Sequence, residues 1–109
     1  MRAYIIRCKL RKAIPIHEHR KWHELIDKAL GLNVWGNPKY GHTTISSIPD
    51  RNITEIEICF YMEEKRNPHL PHIMFKVHPL IKSFRFDEIK EKLKSLGLEI
   101  ESEEITILP

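Results

Sequence analysis

Ile53-Thr54-Glu55-Ile56-Glu57-Ile58-Cys59-Phe60-Tyr61-Met62 decides the fold. Thr54, Ile56, Ile58, Phe60 and Met62 fall on one side of an extended chain, and Ile53, Glu55, Glu57, Cys59 and Tyr61 on the other. Side chains alternate across a strand, so the segment reads as a half-buried central strand of an antiparallel sheet.

Working outward, Pro49-Asp50-Arg51-Asn52 is a turn, because proline presets φ and Asp or Asn bonds its own backbone. A short strand over 43–48 makes 43–62 a hairpin. The polar loop 63–71 leads to an alternating run, 72–78, with Ile73, Phe75 and Val77 inward and His72, Met74, Lys76 and His78 outward. Pro79 ends that strand. Residues 2–10 alternate too, placing Tyr4, Ile6, Cys8 and Leu10 inward and Arg7 and Lys9 outward. The spacing of Trp22, Leu25, Ile26, Ala29 and Leu30 predicts a helix over 17–30, entered after Pro15 and capped by Gly31. Phe86, Ile89, Leu93 and Leu96 predict a second over about 84–96, capped by Ser83 or Asp87 and stopped by Gly97. The last strand, 98–108, shifts its apolar phase, so a bulge or bend is expected near Ser102–Glu104.

The order β-α-β-β-β-α-β predicts an α+β two-layer sandwich. Two helices cover one face of a mostly antiparallel, four- to five-stranded sheet, a ferredoxin-like plan with an extra strand. The 109 residues suit one domain, 1–109. No apolar run reaches membrane-spanning length and no signal-peptide pattern opens the chain, so no membrane partner is expected. Two cysteines on opposite strand faces, without C-x-x-C spacing, fit a reducing, cytoplasmic setting. Gln is absent and Lys and Glu are abundant, a thermophile-like composition.

Charge is uneven. Residues 1–42 hold nine Lys/Arg against three acids, whereas 43–109 hold nine against twelve. A basic segment attracts phosphate or an acidic partner. The first functional expectation is therefore a small nucleic-acid-binding protein. Arg11, Lys12, Arg20, Lys21, Lys39, Lys65 and Arg66 would contact phosphate, and Trp35 and Tyr40 would stack on bases. A loop of aromatics and glycines suits unpaired bases, so RNA is favoured over DNA. The outer sheet face should carry Arg7 and Lys9 against Glu55 and Glu57, which cancels charge there. That ladder-like face leads to a second expectation, a non-catalytic module working as a homodimer or assembly subunit.

Seven histidines lead to a third. Asn37-Pro38 and Asn67-Pro68 are each followed by a histidine at the sixth position, His42 and His72, both at strand starts. Imidazole titrates near neutrality, so this pair could serve as acid and base in a phosphodiesterase or nuclease. His42-Thr43-Thr44-Ile45 has the H-x-T-x form used by the two-histidine phosphoesterases, but His72-Ile73-Met74-Phe75 lacks the second Ser or Thr. His19 and His23, four apart on a helix, are a candidate metal pair. The H-E-x-x-H spacing is absent, since after His17-Glu18 the place of the second histidine is taken by Lys21. No Gly-rich phosphate loop and no serine nucleophile elbow occur, and no cofactor is expected.

Overall fold

A computed structural model describes residues 3–34, 37–38, 40–62, 65–66, 69 and 74–108. Its main elements are β1 (Ala3–Leu10), α1 (His19–Leu30), β2 (Gly41–Ile48), β3 (Ile53–Tyr61), α2 (Pro79–Lys82), α3 (Phe86–Ser95) and β4 (Ile100–Leu108). The four strands form one antiparallel sheet in the order β2-β3-β1-β4. This is a small α+β domain with helices packed on a four-stranded sheet.

β3 lies inside the sheet, as its alternation predicts. Thr54, Ile56, Ile58 and Phe60 are fully buried and meet Tyr4, Ile6, Cys8 and Leu10 of β1. Ile26 and Leu30 of α1, Ile81 of α2, and Ile89 and Leu93 of α3 complete the core on that one side. Each such side chain contributes about 1.5–3 kcal/mol when fully buried. α1 ends at Gly31, whose φ of 65° is left-handed and whose N–H bonds the carbonyls of Asp27 and Lys28. Glycine adopts that conformation without the Cβ clash other residues meet.

Four expectations are corrected. Within 72–78, Met74–Phe75 pairs only with Lys65–Arg66, in a two-residue ladder outside the main sheet. The extra strand therefore does not join the sheet among the described residues. Pro79 does not end a strand; it opens α2, and His78 turns inward to cap that helix instead of pointing outward. α3 takes neither predicted cap. Ser83 Oγ donates back to the Pro79 carbonyl, and Asp87 sits inside the first turn, where a carboxylate favours the helix dipole. The bulge in β4 comes at Glu101, because Lys9 faces Ser102 and Leu10 faces Ile100. It puts Ile100 on the core side together with Ile105 and Ile107.

The outer face carries the expected rungs, Arg7 opposite Glu57 and Lys9 opposite Glu55. Arg7 Nε lies 3.2 Å from Glu57 Oε2 and 3.9 Å from Glu55 Oε1. These groups are half-exposed, so the pairs are worth under about 1 kcal/mol.

Candidate functional site

Of the predicted basic and aromatic set, Lys12 lines a shallow cavity with Glu18 and Trp22, and Lys21 lies over the Trp22 ring, 5.6 Å from its centroid. Arg11 and Lys12 are exposed beyond the end of β1. The Ala13 N–H donates to Asn52 Oδ1 at 3.2 Å, which sets that segment beside the β2–β3 turn. Arg20 and Lys21 lie on the exposed side of α1 and pair with Glu24 at 3.5 Å and Glu18 at 3.7 Å. Tyr40 is half-buried, its ring edge-on to His78 with centroids 5.2 Å apart. Trp35, Lys39 and His72 lie outside the described residues, as do the side chains of Lys65 and Arg66. His42 faces outward from β2. Its Nδ1 is 3.4 Å from the Tyr61 hydroxyl, and Cys59 stands opposite it on β3.

A polar seam joins α1 to the sheet. His19, His23 and Asp27 recur every four residues, so they share one helix face. His19 Nε2 is 2.7 Å from Ser47 Oγ and 3.3 Å from the Ile14 carbonyl. Ser47 Oγ donates to that same carbonyl at 3.0 Å, and the Ile14 N–H donates to Thr54 Oγ1 at 2.6 Å. Asp27 is buried. It accepts from Thr43 Oγ1 at 2.9 Å through one oxygen and faces His23 Nδ1 at 3.0 Å through the other. A shallow cavity of about 430 Å³ opens over His19, His23 and Asp27.

An aspartate orienting a histidine resembles the front end of a catalytic base. Here Nε2, the nitrogen such a base would turn to a substrate, donates to the Thr43 carbonyl at 2.5 Å. The pair closes on backbone and acts as a strut between helix and sheet. The two ring nitrogens that would share a metal are likewise directed at separate acceptors. Among the described residues no group of three His, Cys, Asp or Glu is placed to hold an ion. Asp27 was the residue that sequence reading missed. Its signal was its place four residues after His23, together with hydroxyls at the inward strand positions 43, 47 and 54.

His78 is also structural. Its Nε2–H donates to the Leu30 carbonyl at 2.5 Å, and its Nδ1 accepts from the Leu80 N–H at 3.1 Å. Those two bonds fix the neutral tautomer. Burial against Phe60 and Tyr40 holds the imidazole pKa below its ordinary value, an effect that the Leu30 carbonyl partly offsets.

Two features on the other flank are unsatisfied. The first is a cavity of about 490 Å³ between β1, the end of β3 and α2, lined by Tyr4, Met62, Val77, Ile81 and Phe84 with Lys76 and Lys82. The second is β4 itself, an edge strand whose Ile105 and Ile107 are 46% and 58% exposed on the helix side of the sheet. No family model, curated protein or solved structure matches this chain.

Proposed function

We propose that the chain is a non-catalytic assembly module that pairs with a second copy of itself along the free edge of β4. The observation that carries this is a nine-residue edge strand with isoleucines exposed where its own helix layer stops short. Unpaired edges of this length recruit another strand unless they are blocked. The sequence of β4 selects a register. Antiparallel pairing centred on Thr106 sets Ile105 against Ile107 of the second copy and Glu104 against Leu108. Centring on Glu104 would set two carboxylates face to face, which is unfavourable. The element order and the strand order β2-β3-β1-β4 support a ferredoxin-like, split β-α-β plan, in which β4 is one of two edges.

Sedimentation velocity over a range of concentrations tests the reading. The expected result is a dimer that dissociates on dilution, is insensitive to salt, and is lost in Ile107→Lys. A monomer at hundreds of micromolar would overturn it.

Nucleic-acid binding is the second reading. What favours it is that Arg11 and Lys12 are exposed and carry no ion pair among the described residues. Anisotropy of a labelled single-stranded RNA at several salt concentrations tests it, with a log–log slope of about −0.7 per phosphate contact expected. Cleavage of the probe, abolished by His42→Ala, would instead favour a histidine-dependent phosphodiesterase.

A further inference from the structure

The geometry points to the cavity beside Tyr4 as a binding site for a small amphipathic anion, an aromatic or acyl body bearing one carboxylate or phosphate. Its volume of about 490 Å³ lies in the range of small-molecule sites. Val77 and Ile81 give it an apolar wall, Tyr4 and Phe84 an aromatic one. Lys76 and Lys82 stand at the same cavity, and neither pairs with a carboxylate among the described residues. Two cations beside an apolar wall select a ligand that has both a body and a negative head.

A further observation concerns a residue of the wall. Phe84 adopts φ 55°, a left-handed conformation that disfavours any residue with a Cβ, and leaves 67% of its surface exposed. The turn from α2 into α3 needs that conformation: the Phe84 N–H bonds the Ile81 carbonyl and the Arg85 N–H the Leu80 carbonyl. Glycine or asparagine would make it with less strain. An exposed phenylalanine kept at a strained position, edge-on to Tyr4, is accounted for by contact with a ligand.

The test is a fluorescence titration with 8-anilinonaphthalene-1-sulfonate, an aromatic anion, followed by displacement. The expected result is one saturable site per chain that weakens with salt. Decanoate or phenyl phosphate should displace the probe, and inorganic phosphate should not; which of the two displaces better identifies the head group. Lys76→Met/Lys82→Met should weaken binding at least tenfold. Phe84→Gly should weaken it at least fivefold while the thermal midpoint stays level or rises, which a purely structural role would not produce. Ile107→Lys should bind the probe like the wild type, so the outcome is independent of β4 pairing. Wild-type affinity in the double lysine variant, or in Phe84→Gly, overturns the site, as does displacement by inorganic phosphate alone.

Discussion

On the β2 flank, α1 is held to the sheet by hydrogen bonds. On the β4 flank, α3 meets the sheet through apolar packing and one bridge, Lys90 Nζ to Glu103 Oε1 at 2.8 Å, and the strand runs on past its cover. The first flank buries polar groups and satisfies them; the second leaves isoleucines in water. Polar groups sealed against each other fix one arrangement, because any slip orphans a buried donor or acceptor. An uncovered apolar strip fixes nothing within the chain and remains available to a partner.

The sharpest break of this comparison sets a polar residue against an apolar one. Asp27→Ala strips partners from Thr43 and His23 in a buried seam and should cost about 3 kcal/mol. Ile107→Ala, at a dilution where the chain is monomeric, should cost under about 1 kcal/mol because most of that side chain is already exposed. Urea unfolding measures both. Equal costs would mean that the two flanks are built alike.

A smaller effect is read by pH. His78 links the end of α1 to the start of α2, and its folded pKa lies below the ordinary 6.5. The unfolded chain therefore takes up this proton first as the pH falls. Its contribution is complete above about pH 6.5 and drains away as the pH drops through the lowered folded value. Urea midpoints from pH 7.5 to 5 should fall more steeply for the wild type than for His78→Gln, which keeps a donor for Leu30 but cannot titrate. Parallel curves would remove the histidine from the link between α1 and α2.

The smallest effect reports on the open flank. Cys8 lies beneath a cavity of about 280 Å³ between α3 and β4, and burial, followed by Glu103, pushes its thiol up to about 11. Cys59 is half-buried and raised first by burial and then by Glu57. Iodoacetamide at pH 8 should modify Cys59 slowly and Cys8 only on unfolding, as read by mass spectrometry. Early labelling of Cys8 would show that α3 lifts from β4.

Much of the sheet was legible because a two-residue period survives any tertiary context that buries one face. That Arg7, Lys9, Glu55 and Glu57 share the outer face followed from that period, as did the inward turn of Cys8; the register that pairs Arg7 with Glu57 and Lys9 with Glu55 came from the fold. The 72–78 run misled because its alternation was real but Pro79 initiates a helix, and the cap that helix needs drew His78 inward. The candidate sites were less legible. Helical spacing sets Glu24 beside Arg20 and Glu18 beside Lys21, pairings that a count of cations does not reveal. Lys76, Lys82 and Phe84 stand close together around α2, but only the fold brings Tyr4 of β1 to them.

The sequence by itself determined which residues face the core, where α1 stops, and that the outer face would carry charge in compensating rungs. Those follow from local periodicity and from the conformational freedom of single residues such as Gly31. Only the tertiary structure decided that Asp27 would lock His23 and Thr43, that β4 would outrun its helix, and that the lysines and phenylalanine around α2 would share a cavity with Tyr4. Each of these depends on distances between segments far apart in the chain, which the order of side chains along one strand or helix does not contain.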